Sequence, residues 1–151
     1  MARRNFSPAD AGALAAGLLV ESCRTASDGS LSLEVVRDLA LDLERRLAAL
    51  SLPEEDHQPP DSLVEAALAC ADLATLAACN LPGLPEDGEP LAAAAVHLAA
   101  GAARALAVLV EARTLHGTHA ENALRDARGA LWRADLAVRQ IQELRGAKAP
   151  D

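Results

Sequence analysis

The run of residues 91–110, LAAAAVHLAAGAARALAVLV, constrains the fold of this chain more than any other segment. It consists almost entirely of alanine, leucine and valine, interrupted by His97, Gly101 and Arg104. Alanine has the highest intrinsic helix propensity, and leucine follows closely. Small side chains also let neighbouring helices approach one another closely. The run therefore predicts a long helix within an all-α fold.

Composition extends this prediction to the whole chain. The 151 residues are 51% hydrophobic but only 1% aromatic. The core must therefore be aliphatic, and the aromatic and threonine residues that favour strands are scarce. A chain of this length is expected to form one domain, residues 1–151. We expect an Ala/Leu-rich helical bundle.

Five helices follow from the pattern of caps, breakers and apolar spacing. They are predicted over residues 8–25, 33–50, 62–79, 90–115 and 119–145, with an acidic, proline-bounded linker at 53–60. Only a short turn separates the last two helices, so these are expected to form an antiparallel hairpin. The predicted architecture is a five-helix up-and-down bundle.

Local signals set the predicted helix ends. Ser7 is expected to cap the first helix, with Pro8 in its first position and Asp10 near the positive end of the helix dipole. Asp61 is expected to cap the third helix. The fifth begins with a Thr-x-x-Glu capping box at 118–121 and is expected to stop at Gly146.

An apolar stripe is expected on the second helix, and small and apolar residues on the fifth are expected to pack on the fourth. The expected stripe on the second helix comprises Val35, Val36, Leu39, Leu43, Leu47 and Leu50. The expected inner face of the third helix comprises Leu63, Ala66, Ala67, Cys70, Leu73, Ala74 and Ala77. The expected seam on the fifth helix comprises Leu124, Ala127, Leu131, Ala134, Val138 and Ile141.

Charge and cysteine content limit the classes of partner. The formal net charge is −8, whereas nucleic acids and anionic membrane surfaces attract basic proteins. We therefore expect neither as a partner. Three cysteines without CxxC spacing suit a reducing cytoplasm. Residues 91–110 are long enough to span a bilayer, but they are mostly alanine and contain His97 and Arg104, so we interpret them as the central helix of a soluble protein. The flat Ala-rich face of that helix predicts a homodimer.

Few side chains suggest chemistry. His97 is either a hydrogen-bonded histidine at an interface edge or a general acid/base that contacts a ligand. Asp72 either lines a cavity or faces solvent beside Thr75; we favour solvent. His116 and His119 flank a turn without the spacing of a metal-binding motif, so no metal is expected.

The layout resembles a known family. SPADAGALAAGLLVE, residues 7–21, lies where the cyclodeaminase domain of formiminotransferase-cyclodeaminase, and the related methenyltetrahydrofolate cyclohydrolases, have an Ala-rich first helix after a glycine-rich turn. PDSLVEAALACADLATLAA and the following LPGLPEDGEPLAAAAVHLAAGAARALAVLVEAR resemble the family's later proline-led helix, its loop with an aspartate and its long Ala-rich helix. The resemblance implies an all-helical dimer that acts on folate one-carbon adducts.

The resemblance also implies candidate site residues. Asp87 matches the family's loop aspartate; with His97 it would polarise the ligand or transfer protons. Pro8, Gly12 and Asp72 would line the binding site for a tetrahydrofolate derivative. The turn reads Pro-Ala-Asp-Ala-Gly instead of being glycine-rich, and the family's late asparagine segment reads VLVE at 108–111. The expected function is thus folate binding with or without catalysis. The alternative is a non-catalytic dimeric interaction or structural module.

Overall fold

The computed structural model describes residues 6–24, 31–50, 60–114 and 118–148. Helices account for 93% of these residues, and no strand occurs among them. The helices of the described chain are α1 (Pro8–Arg24), α2 (Leu31–Leu50), α3 (Pro60–Asn80), α4 (Glu89–Arg113) and α5 (Thr118–Lys148), with a 3₁₀ turn at Leu81–Gly83. The all-α bundle with five helices is therefore confirmed.

Side-chain contacts give the direction in which the helices run. Gly12 lies against Leu47 and Gly17 against Glu44, so α1 and α2 are antiparallel. The Arg104–Asp135 and Glu89–Lys148 ion pairs make α4 and α5 antiparallel. Asp72 pairs with Arg133, and the first turns of α3 and α5 share a groove, so these two helices run parallel.

The helices form a ring of four to which α5 is added. Contacts connect α1 with α2, α2 with α3, α3 with α4 and α4 with α1, while α5 packs on both α3 and α4. α3 contacts each of the other four helices. The helix of residues 91–110, expected to be central, therefore shares that position with α3.

The core is aliphatic and draws on all five helices. Alanine supplies most of its fully buried positions on α3 and α4, and leucine fills the spaces between them. The predicted inner face of α3 is confirmed: Leu63, Ala66, Ala67, Cys70, Leu73, Ala74 and Ala77 are all buried. Each buried leucine contributes about 1.5–3 kcal/mol, and the alanines contribute mainly by letting backbones approach.

Several helix ends differ from prediction. α3 begins at Pro60. Proline lacks a backbone N–H, but the N–H groups of the first helical turn have no acceptor within the helix, so proline is tolerated there. Asp61 therefore lies inside the helix rather than at its cap. α4 ends at Arg113, where Thr114 N–H bonds the carbonyl of Val110. α5 passes Gly146 to Lys148, whose ammonium pairs with Glu89 and ties the last turn to α4. The linker at 53–59 and the Thr118 side chain lie outside the described residues.

The stripe predicted on α2 is partly wrong. Val35 and Leu39 are exposed, and the buried positions are Val36, Ala40, Leu43 and Leu47. Because the four buried positions lie on one side of α2, Val35 and Leu39 fall on its outward side. On α5, Ala127, Ala134 and Ile141 of the predicted seam are buried, while Leu124, Leu131 and Val138 are half-buried.

Candidate functional site

The structure brings Pro8 and His97 to one open groove of about 320 Å³ between α1 and α4. Pro8 comes from the first turn of α1, and His97 from the outer side of α4. The other described lining residues are small or apolar, apart from Ser7: Phe6, Ala11, Leu98, Gly101, Ala102 and Ala105. Because Gly101 has no side chain, the middle of the groove remains open.

A reciprocal cap fixes the α1 side of this groove. The backbone N–H and hydroxyl of Ser7 donate to Asp10 Oδ2 at 2.7 and 2.9 Å, and the Asp10 N–H donates to Ser7 Oγ at 3.3 Å. This confirms Ser7 as the N-cap. The Asp10 carboxylate is occupied by the cap, so it stabilises the helix start rather than reaching toward a ligand.

The groove offers little for acid/base chemistry. The His97 imidazole is exposed to solvent, so it needs no buried partner. No carboxylate is among the described residues that line the groove. The surface can therefore accept an apolar or planar group and offer it one imidazole. A proton relay would require a second titratable group beside His97.

Gly12, predicted to contact a ligand, lies inside the bundle instead. A Cβ at this position would stand 2.6 Å from Cys70 Sγ and 3.0 Å from Leu47 Cδ1. Contacts this short would force the neighbouring groups to move. Glycine at this position therefore allows α1 to approach α2 and α3 closely, which is a packing role.

The two predicted aspartates lie outside the α1–α4 groove. Asp72 is exposed on α3 and accepts a hydrogen bond from Arg133 Nη1 at 2.6 Å. This matches the solvent-facing interpretation. Asp87 is exposed in the turn before α4, where Gly88 and Glu89 N–H groups bond the carbonyl of Pro85. Of the five predicted site residues, only Pro8 and His97 come together in the groove.

A second groove of about 320 Å³ lies between the first turns of α3 and α5. It is lined by acidic and amide side chains over an apolar base: Asp61, Glu65, Asn122, Asp126, Val64, Leu68 and Ala123. Across the described part of the chain, no cluster of three His, Cys, Asp or Glu is arranged to hold a metal ion. This groove is an acidic surface depression.

The three cysteines are free thiols that differ in exposure. Cys79 is exposed, whereas Cys23 and Cys70 are buried. Burial raises the pKa of the Cys70 thiol to about 12. Burial also raises the pKa of Cys23, against the smaller opposing effects of a hydrogen bond with Ser22 and the charge of Arg37. Raised thiol pKa values make both buried cysteines poor nucleophiles.

The surface residues that the sequence analysis missed are the two aromatic ones. The chain contains one Phe, one Trp and no Tyr. Phe6 is 71% exposed at the rim of the α1–α4 groove, and Trp132 is 66% exposed on α5. The exposure of Trp132 could have been predicted from the sequence, because the seam predicted on α5 places residue 132 on the opposite side of the helix.

Comparison of the chain with protein-family models, with curated proteins and with solved structures finds no match. Two segments, Asp61–Gly83 and Glu89–Arg113, are long and apolar enough to cross a membrane, judged by length and composition alone. The bundle buries 61% and 56% of their most apolar windows. Core helices of soluble proteins pass the same test.

Proposed function

We propose that this protein is a homodimeric helical module that acts through contact between protein surfaces rather than through catalysis. The observation that carries the proposal is that Trp132 is 66% exposed on a protein whose core is aliphatic. Aromatic residues, tryptophan above all, are the usual anchors of protein interfaces.

The arrangement of the titratable residues also supports an interaction module. The proposed catalytic partner of His97, Asp87, does not line the groove that contains the imidazole. Asp72 is engaged by Arg133. No buried side-chain nitrogen or oxygen in the described chain lacks a hydrogen-bond partner. Catalytic groups are usually brought together in one partly buried place, often with perturbed pKa values.

Sedimentation velocity of the purified full chain tests the proposal. We expect a dimer at micromolar concentration that dissociates on dilution. A species that stays monomeric across the micromolar range contradicts it. Circular dichroism of the same sample, with a spectrum dominated by helix, excludes misfolding as the reason for a monomer.

A second candidate function is binding of a folate one-carbon derivative in the α1–α4 groove. The observation that favours it is that Pro8 and His97, both predicted to lie at the ligand site if the chain binds folate, line that groove. An apolar wall with one imidazole suits a planar heterocycle. Catalysis would additionally need Asp87 to reach the groove.

Isothermal titration with 5,10-methenyltetrahydrofolate tests the second candidate. We expect measurable heat from the unmodified protein and weaker binding by His97→Ala. Arg45→Ala, on the exposed side of α2, serves as the matched control. An absence of heat contradicts folate binding, and equal binding by His97→Ala contradicts the groove as its site.

We further propose a cytoplasmic location without nucleic-acid or membrane partners. The free thiols of Cys23, Cys70 and Cys79 support a reducing compartment. The net charge of −8 opposes binding to phosphate-rich surfaces. The polar groups on the outer side of α4, His97 and Arg104, would be costly in a lipid environment. Fractionation of cells expressing the tagged chain tests this location.

A further inference from the structure

The outward side of α5 carries a continuous exposed stripe that no other described helix covers. Its members recur every three or four residues, and we call them the α5 outer face: Glu121, Arg125, Arg128, Trp132, Leu136, Arg139 and Glu143. The opposite side of α5 is buried against α3 and α4. The α5 outer face is therefore the part of this helix farthest from the core.

Apolar side chains occupy the centre of this face, where a soluble helix normally carries polar ones. Trp132 is 66% exposed and Leu136 is 48% exposed, one helical turn away. Neighbouring Gly129 leaves further room, because a Cβ at that position would meet nothing within 4 Å. The centre of the face thus combines a large apolar anchor with open space beside it.

The charges around this centre are available for an outside partner. Arg104 and Arg133, at positions where α5 meets α4 and α3, form ion pairs with Asp135 and Asp72. By contrast, no salt bridge within the described chain involves Arg125, Arg139 or Glu143, and Arg125 donates only to the amide oxygen of Asn122 at 2.8 Å.

The order of these charges disfavours two simple ways for two α5 helices to pair. In a parallel pair in register, each arginine would face its own copy. An antiparallel pair centred on Trp132 would place Arg125 against the partner's Arg139 and Glu121 against the partner's Glu143. Both arrangements oppose like charges, which is costly at an interface.

An antiparallel pair centred on Ala134 removes these two conflicts, although it brings Arg128 close in register to the partner's Arg139. Trp132 then faces the partner's Leu136, and Arg125 faces the partner's Glu143; the two-fold axis repeats both contacts. Arg139 faces the partner's Gly129, where a long side chain has room. The same sequence thus supplies an apolar centre and an oppositely charged pair at each end.

We propose that a second copy of this chain docks on the α5 outer face, with the two α5 helices antiparallel and centred on Ala134. This inference rests on the proposed function, since it names the surface through which the homodimer forms. The α1–α4 groove stays uncovered in such a dimer. A contact between single helices is small for a specific interface, so we expect a micromolar dissociation constant.

Charge exchange between Arg125 and Glu143 tests the proposal. Arg125→Glu opposes two carboxylates at each end of the interface, and Glu143→Arg opposes two guanidinium groups. We expect each variant alone to raise the dimer dissociation constant about tenfold or more in sedimentation velocity. Both residues are exposed, so the circular dichroism spectrum and the thermal midpoint of each diluted, monomeric variant should match those of the monomeric unmodified chain.

Mixing the two variants provides the decisive measurement. An equimolar mixture of Arg125→Glu and Glu143→Arg restores opposite charges at both ends, so we expect a heterodimer with nearly the affinity of the unmodified chain. Arg45→Glu, on the exposed side of α2, is the matched control and should leave the dimer intact. Variants that dimerise like the unmodified chain, or a mixture that stays monomeric, overturn the α5 interface. A monomeric unmodified chain instead overturns the proposed homodimer itself.

Discussion

Two glycines in this molecule have opposite surroundings. At Gly12 on α1, an added Cβ would lie 2.6 Å from Cys70 Sγ, so the neighbouring helices already use all the space. At Gly129 on α5, an added Cβ would meet nothing within 4 Å. One glycine lies in the inner seam formed by α1, α2 and α3; the other lies beside Trp132 on the α5 outer face.

This difference shows that tight packing is confined to the interior, whereas the largest side chain of the protein lies mostly outside it. In the inner seam, Gly12 lets the helix backbones approach closely against Cys70 and Leu47. Close backbone approach thus replaces aromatic bulk in the core. The large aromatic side chain of Trp132 lies outside the core and is 66% exposed. Tight packing within the seam and free space on the outer face are therefore separate properties, and each can be altered alone.

The largest expected effect is a loss of stability at alkaline pH, caused by the Cys70 thiol in the inner seam. The folded-state pKa of Cys70 is about 12, above its ordinary value of 9.0, because of burial. Below pH 9 the thiol is protonated in both states and stability is unaffected. Above pH 9 the unfolded chain loses this proton first, so the free energy of unfolding falls by about 1.4 kcal/mol per pH unit until about pH 12.

Urea denaturation at pH 8, 10 and 11 measures this loss. We expect Cys70→Ala to flatten the decline, although at pH 8 it lowers stability by leaving a small cavity. Cys79→Ala, at an exposed position, should keep the full decline. An unchanged slope in Cys70→Ala contradicts the assignment of the alkaline loss to the inner seam.

The next largest effect is expected on dimer affinity, through the α5 outer face. Trp132→Ala should weaken dimerisation by about 2–4 kcal/mol, as expected for a central tryptophan in an interface. The monomer should keep its stability within about 0.5 kcal/mol, because an exposed side chain contributes little to folding. Sedimentation equilibrium gives the dimer affinity. Phe6→Ala removes the other exposed aromatic and should not change the dimer affinity; an equal loss in both variants would contradict an interface confined to the α5 outer face.

Gly12→Ala tests the tight packing of the inner seam directly. The added methyl group must displace Cys70 or Leu47, so we expect a loss of about 1–3 kcal/mol in the free energy of unfolding. Gly17 on the same helix is the control: a Cβ there would stand 4.0 Å from Glu44 Oε1, an ordinary contact. Gly17→Ala should therefore be stabilising, and chemical denaturation compares the two variants.

The smallest effect is expected at the second glycine of the comparison. Gly129→Ala places a methyl group in open space and removes the conformational freedom of glycine from a helix interior. Monomer stability should rise by about 0.5–1 kcal/mol. Denaturation at concentrations below the dimer dissociation constant measures this gain. Destabilisation by this variant would show that the space beside Trp132 is already filled.

The fold was largely predictable because alanine spacing and helix breakers depend on local physics. The Ser7 cap and the inner face of α3 were predicted correctly for this reason. The stripe on α2 was not, because Val35 and Leu39 have the same apolar character as the residues that are buried. The packing of α2 against α1 and α3 decides which side faces inward.

The candidate site was less predictable, because it depends on distances between helices. Pro8 and His97 are far apart in sequence, and their proximity follows from the packing of α1 on α4. Gly12 was assigned to a ligand although its lack of a side chain serves Cys70 and Leu47. A glycine required for close approach to a cofactor and one required for close approach to a helix look the same in a sequence.

The position of Trp132 also determines which changes in this molecule tryptophan fluorescence can detect. With one tryptophan and no tyrosine, almost all ultraviolet emission originates from a single indole that is already largely hydrated in the folded monomer. Melting of the bundle should therefore scarcely shift that emission, whereas shielding of the indole by a second molecule should shift it toward shorter wavelength. Trp132 should therefore act as an intrinsic fluorescent probe that responds to association and scarcely responds to unfolding of the chain.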